Sequence, residues 1–283
     1  MKTKIMTLCR LTVLLSLTLI AAPVRAQAGG DQAANPNRMV VPLSHPSQPA
    51  QVNLTSISGD ISVHGYTGNQ VIIERSGERS HRHDESDVPE EARGMQRLTS
   101  MGDLNADEDN NVVTIHGGLR GGSIDLQVPA GSSLSLKTVN GSVQVQGVSG
   151  ELDIESTNGG VTVDQAGGSI VAHTLNGQIT ANVARLDTGK PSSFSTMNGR
   201  IDLTLPAALH ANLTMRSDRG DIYIDQGFDF KPLPNSSGST TKSESNGMTK
   251  IRMDNTIRGT LNGGGAEIDI RTFNGPVLVH KGK

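Results

Sequence analysis

Cysteine is nearly missing from this chain: Cys9 is the only one in 283 residues. Tryptophan is absent, and two Tyr and four Phe bring the aromatics to 2%. A lone thiol leaves no intramolecular disulfide and no cysteine-ligated metal centre. So few rings exclude a core built on large aromatics, and they remove the platforms on which sugar sites commonly rest. Long apolar runs are missing too. The longest, Leu11 to Ala22, falls short of the ~20 residues that span a bilayer as a helix. Charge of one sign does not accumulate: 25 Lys and Arg face 28 Asp and Glu, for a net charge of −3. Such a balance argues against nucleic acid or an anionic membrane surface as a partner. Glycine is plentiful, at 33 residues, but lacks the every-third spacing of collagen.

The N-terminus reads as a secretory signal peptide over residues 1–26. Lys2, Lys4 and Arg10 form a positive region, Leu11 to Ala22 is apolar, and Val24-Arg25-Ala26 ends on a small residue. Cys9 precedes the apolar run, so no lipid-attachment cysteine follows it. Cleavage after Ala26 gives a chain starting at Gln27 with no cysteine, and moves the formal charge from −3 to −7. The expected location is exported: periplasmic, on the cell surface or extracellular, with no transmembrane segment in the mature chain.

An internal repeat carries most of the information. Asn-Gly falls at Asn140-Gly141, Asn158-Gly159 and Asn176-Gly177, with further copies at Asn198-Gly199 and Asn274-Gly275. Between the first three, Gly150 and Gly168 halve the spacing to nine residues. Each glycine is followed two and four places on by a small or apolar pair: Val143/Val145, Leu152/Ile154, Val161/Val163, Ile170/Ala172, Ile179/Ala181. Period two puts each pair on one face of a short strand. Asn and Gly ahead of each strand are expected to supply the positive φ of a tight corner. The expected structural turn positions are Asn140, Gly141, Gly150, Asn158, Gly159, Gly168, Asn176, Gly177, Asn198, Gly199, Gly220, Asn274 and Gly275. A meander of hairpins is one way to use Asn-Gly. Asn-Gly at every second corner fits a coil of two strands better, with successive coils stacked ~4.8 Å apart. The fold class is therefore all-β: a single-domain, β-helix-like β-solenoid of nine-residue strand-turn units, about 18 residues per coil in the centre. Its narrow interior is expected to leave no room for Trp or Phe, and Asn140, Asn158 and Asn176 would stack as an amide ladder.

Around this repeat, residues 27–50 read as an extended lead-in and 51–283 as the solenoid domain. A charged insert spans 76–110, where Asp87-Val88-Pro89-Glu90 opens a short helix to about Leu98. Residues 231–249, rich in Pro, Ser, Thr, Asn and Gly, read as a mobile loop.

Thr138-Val139-Asn140-Gly141-Ser142-Val143, Ser195-Thr196-Met197-Asn198-Gly199-Arg200-Ile201 and Arg271-Thr272-Phe273-Asn274-Gly275 resemble a bacterial exported β-strand-repeat family of unknown function. That family is related to proteins labelled adhesins with a head domain named for Gly-Ile-Asn. The resemblance covers most of residues 52–281. It implies a β-solenoid-like fold at the cell envelope and brings no catalytic or ligand-binding residues to carry over.

No chemical constellation rises above a solvated surface. His81-Arg82-His83-Asp84 lacks a third His nearby. Asp103, Asp107, Glu108 and Asp109 lack EF-hand order and its central Gly. No Gly-x-Ser-x-Gly elbow joins a strand to a helix. Glu151, Asp153 and Glu155 share an exposed strand face, which gives neither the cleft nor the shielding of a glycosidase pair. The resulting expectation is a non-enzymatic envelope protein with no cofactor, no metal and no catalytic residue. Its role is structural, adhesin-like or binding, toward an unknown envelope or surface partner, protein or polysaccharide. The rival is a polysaccharide-active β-helix enzyme, a lyase or hydrolase. Any binding surface is expected in the segments that interrupt the repeat: His81 to Asp109, and the loop from Phe228 to Gly247.

Overall fold

The computed structural model describes residues 38–76, 104–117, 122–234, 239–245, 248–254 and 256–282. The signal segment, residues 27–37 of the lead-in, the His81–Asp84 cluster and the helix expected from Asp87 to Leu98 lie outside the described residues. Asn35–Lys283 forms one compact unit. Among the described residues every regular element is a strand.

The central strands alternate between two large sheets. In the second sheet lie β8 (Ser133–Asn140), β10 (Leu152–Asn158), β12 (Ile170–Asn176) and β14 (Ser192–Asn198). In the first lie β9 (Val143–Gln146), β11 (Val161–Ala166), β13 (Ile179–Val183) and β15 (Ile201–Leu205). Within each sheet these strands pair in parallel, so Val161 stacks between Val143 and Ile179, and Ile170 beside Leu152. The Asn-Gly corners thus carry the chain from one sheet to the other; they are not hairpin turns. Inward residues are buried without exception along β12, while Val171 and His173 face outward. That is the period-two alternation expected of a half-buried strand.

The stack does not follow chain order at either end. At one end come β2 (Gln51–Ser58) and β3 (Ile61–Tyr66), then β6 (Val112–His116) and β7 (Ser123–Pro129). The earlier pair β2/β3 sits between β6/β7 and β8/β9. At the other end are β16 (Ala211–Arg219) and β17 (Ile222–Ile224), followed in sequence by β22 (Ala266–Asn274) and β23 (Val277–Lys281). The last coil, β22/β23, inserts between β14/β15 and β16/β17.

Antiparallel strands flank both ends. These are β4 (Gln70–Ser76) on β7, β1 (Arg38–Pro42) on β4 and β5 (Asn105–Asp109) on β6. At the far end β21 (Thr256–Leu261) lies on β16 and β18 (Phe230–Pro232) on β21. The outermost strands carry edge protection. β5 has three carboxylates, β18 ends in Pro232, and β17 is only three residues long.

Three expectations need correction. Residues 231–249 were expected as a loop, but β18 extends to Pro232. Beyond it, β19 (Ser239–Ser245) and β20 (Met248–Asp254) pair antiparallel. Polar composition hid the pairing, although the sequence between those strands, Asn246-Gly247, is the ordinary two-residue hairpin signal. The interior between the central strands also admits a ring. Phe194 is fully buried, with Ala172 beside it on one side and Ile270 on the other. The small neighbour leaves the volume the ring fills.

The corners explain why glycine recurs. At Gly59, Gly168 and Gly275 φ is positive, but Gly141, Gly159, Gly177, Gly199 and Gly220 are not in the left-handed region, nor are the corner asparagines. Close approach is the reason instead. A Cβ on Gly159 would lie 2.0 Å from the Gly141 carbonyl oxygen, and one on Gly199 2.0 Å from that of Gly177.

The asparagines form a continuous side-chain ladder. Each Nδ2 donates to the Oδ1 of the residue one coil back: Asn158 to Asn140 (3.0 Å), Asn176 to Asn158 (2.9 Å), Asn198 to Asn176 (2.8 Å) and Asn274 to Asn198 (2.7 Å). Asn176→Ala removes the donor to one neighbour and the acceptor of another. At ~1 kcal/mol per bond, it should cost about 1–2 kcal/mol. Asn274→Ala, at the ladder's end, should cost about half as much. Urea unfolding of the two variants checks the ratio.

Candidate functional site

A hydroxyl two places before four of the five corner asparagines, Asn158, Asn176, Asn198 and Asn274, supports the ladder from inside. Ser156, Thr174, Thr196 and Thr272 donate to the carbonyls of Gly141, Gly159, Gly177 and Gly199, at 3.2, 2.8, 2.9 and 3.0 Å. The motif is therefore Ser/Thr-x-Asn-Gly. The hydroxyl and the Asn fix the backbone on either side of x, and x points outward.

Those x positions are the feature that sequence reasoning passed over. They are Val139, Thr157, Leu175, Met197 and Phe273, and Ile57 holds the same place in Ser56-Ile57-Ser58-Gly59. Along the second sheet they fall in adjacent strands, from β2 through β8, β10, β12 and β14 to β22. Ile57, Val139, Leu175, Met197 and Phe273 are 46%, 42%, 38%, 47% and 39% exposed. They make up half of the exposed large apolar side chains among the described residues. A repeated apolar residue between two polar ones was the available signal.

Two residues earlier on each strand runs a polar column: Lys137, Glu155, His173, Ser195 and Arg271. A shallow, open groove lies between the columns. One stretch is lined by Lys137, Val139, Glu155 and Leu175, the next by Met197, Arg216, Arg271 and Phe273, and His173 and Leu175 belong to both. Lys137 Nζ meets Glu155 Oε1 at 3.1 Å, Arg271 donates to Asp269 at 2.7 Å, and Arg216 donates to Asp218 at 2.8 Å. The hydrogen bond to Glu155, then its charge, raises the Lys137 pKa; Asp269 does the same for Arg271. Both cations stay charged across the physiological range. His173 Nδ1 lies 2.8 Å from the Ser195 hydroxyl, and the Arg219 guanidinium lies 5.3 Å from the Phe273 ring centre.

The expected candidates fall elsewhere. Glu151, Asp153 and Glu155 face solvent; Lys190 pairs with Glu151 and Lys137 with Glu155. Among the described residues no three His, Cys, Asp or Glu side chains converge as metal ligands. Phe228 is buried and Phe230 packs against the core, so neither offers a binding platform. Asp107, Glu108 and Asp109 lie on the edge strand β5. Glu108 fastens the segment after β1: it accepts from the Ser44 amide at 3.1 Å, the Ser44 hydroxyl at 2.9 Å and the Asn111 amide at 2.9 Å. These bonds, the Ser44 amide foremost, hold its pKa below the usual 4.5. The contribution is therefore complete above that ordinary value and is lost as pH falls through the lowered one. Amide exchange at Ser44, corrected for intrinsic rate, should accelerate on acidification below pH 4.5 in the wild type. In Glu108→Gln it should already be fast at neutral pH.

No helix among the described residues is long and apolar enough to cross a membrane. The Toastrack DUF4097 family matches residues 37–257. No curated protein matches the sequence. Among solved structures, a "putative cell adhesion protein" from Clostridium sporogenes aligns over 87% of this chain and 99% of its own, at 8% identity and a TM-score of 0.40. A "putative adhesin" from Bacteroides fragilis aligns over 86% and 95%, at 10% identity and a TM-score of 0.31.

Proposed function

We propose, from the premise that this chain belongs to the Toastrack DUF4097 family, that it is a non-enzymatic protein of the cell envelope. Exported through residues 1–26, it serves as a structural or adhesin-like binding module. The observation that carries this reading is the outward column from Ile57 to Phe273, in which Ile57, Val139, Leu175, Met197 and Phe273 are large apolar side chains 38–47% exposed and Thr157 stands between Val139 and Leu175. Exposed apolar side chains clustered in this way mark interaction sites in soluble proteins. The stack suits the task. Successive coils repeat one surface position at the spacing of neighbouring strands.

The enzyme alternative finds no footing. A general acid in a glycosidase needs shielding to hold its proton at neutral pH. Glu151 and Glu155 stand half in water beside lysines.

The experiment is retention of the full-length chain on envelope fractions. Leu175→Asp with Met197→Asp should abolish retention while circular dichroism stays strand-like. N-terminal sequencing of the exported product should begin at Gln27. Unchanged retention in the double variant would remove the binding face. A polysaccharide-degrading activity lost on Asp153→Asn or Glu155→Gln would install the enzyme instead.

A further inference from the structure

The two large sheets differ on their outer faces. Ile57, Val139, Val171, Leu175, Met197 and Phe273, six of the ten exposed large apolar side chains among the described residues, stand on the second sheet. The other four lie toward the ends of the stack: Met39 and Val40 on β1, Tyr223 on β17 and Leu233 after β18. In the centre of the first sheet, Gln144, Thr162, Thr180 and Asp202 face outward instead. The strands under the apolar face are hydrogen-bonded on both sides, so a partner must meet the face rather than add a strand. The column on that face is graded. The β-branched Ile57, Val139 and Thr157 fill one half, and the longer Leu175, Met197 and Phe273 the other. At Thr157 it drops into a hollow lined by Lys137, Val139, Glu155, His173 and Leu175.

Resting on the binding role proposed above, we infer that this face binds a second copy of the chain, about a two-fold axis parallel to the strands and passing between β10 and β12. Closed two-fold dimers are the commonest assemblies of identical chains. Facing sheets pack about 10 Å apart with their strands nearly aligned. The axis reverses the order of the strands, so each short side chain meets a longer one. Ile57 meets the partner's Phe273, and Val139 the partner's Met197. Leu175 of each copy enters the hollow over the partner's Thr157. An axis laid along the column instead would set Thr157 against Thr157 and leave that hollow unfilled. The polar rows agree with the first axis. Lys137 meets the partner's Ser195, and Glu155 meets the partner's His173, whose Nε2 bonds no described residue. No two like charges meet in any of the three outward rows. Six strands about 4.8 Å apart, with outward positions about 6.8 Å apart along each, give these rows about 600 Å² in flat projection. Side-chain relief brings that near the ~800 Å² that each partner buries in a standard interface.

Sedimentation equilibrium of the full-length chain should give twice the chain mass at micromolar concentration. Thr157→Trp adds apolar surface but fills the hollow, and should weaken the dimer about ten-fold or more. Ser195→Lys should do the same by facing the partner's Lys137. Adding Lys137→Ser to that variant should restore most of the loss. The two positions lie three strand spacings apart within one chain, about 14 Å, so the recovery reads a contact between copies. A monomer up to about 100 μM, a dimer tightened or unaffected by Thr157→Trp, or no recovery on adding Lys137→Ser would overturn the inference. If the chain is monomeric while envelope retention still depends on Leu175 and Met197, another partner takes the face: the second copy falls and the binding role stands. If the chain is monomeric and retention is indifferent to those residues, the second copy and the binding role fall together.

Discussion

Val161→Asp should leave the chain unfolded at room temperature, while Thr162→Asp, one residue away, should melt within a degree or two of the wild type. Val161 has no exposure and stacks between Val143 and Ile179. An aspartate there would meet aliphatic neighbours and no donor. Burying an unpaired carboxylate costs several kcal/mol even after its pKa rises to neutralise it. Lost packing of the valine adds about 1–2 kcal/mol. Together these approach the 5–15 kcal/mol that holds a typical domain. Thr162 faces solvent between Gln144 and Thr180, so its replacement stays near the ~0.5 kcal/mol of ordinary surface changes. Thermal melts by circular dichroism separate the two; similar melting temperatures would mean the strand faces are misassigned.

Gly159→Ala should be nearly as damaging, although it adds a single methyl group at a surface corner. The new Cβ would sit 2.0 Å from the Gly141 carbonyl oxygen and 2.5 Å from its carbon. Both atoms are fixed, because the Gly141 amide donates to the Asn158 carbonyl and the Ser156 hydroxyl donates to the Gly141 carbonyl. Relief requires two coils to separate, which breaks rungs of both sheets. A loss of about 3 kcal/mol or more is expected, at or above the upper range for overpacked cores. Gly131→Ala is the control. A Cβ there meets nothing within 4 Å, and the substitution should be neutral or slightly stabilising. Comparable urea midpoints for the two variants would contradict the close stacking of corners.

Strand positions and faces in the centre were readable because two signals coincided. Val143, Val161 and Ile179 follow period two within a strand, and their spacing repeats from coil to coil. The corner glycines were placed by the same repeat but for a different physical reason, since spacing alone does not distinguish a left-handed φ from a backbone contact between coils. The apolar column was missed because Val139, Leu175 and Met197 break the alternation singly, and each looks trivial until the coils are stacked. The swapped coil order was also hidden. A periodic sequence says what a coil looks like, not which coil it rests on. Its logic becomes visible at the ladder. Asn274 continues the amide column from Asn198, whereas Arg219 has no amide to offer, so β16 lies outside β22. Ser58 ends the column beside Asn140 in the same way.

This order decides whether the apolar column is continuous, because a coil stacked in chain order would put Asp218 rather than Phe273 next to Met197. Disulfide trapping tests it directly. Ser195 pairs with Arg271 across β14 and β22, and Arg271 in turn with Arg216 across β22 and β16. The double variant Ser195→Cys with Arg271→Cys should oxidise within the monomer to a single cross-link found by peptide mapping. Ser195→Cys with Arg216→Cys, separated by a whole strand, should not, since two strand spacings of about 9.6 Å exceed the reach of a disulfide. Ready cross-linking of Ser195→Cys to Arg216→Cys, with none to Arg271→Cys, would contradict the fold and the binding face built on it.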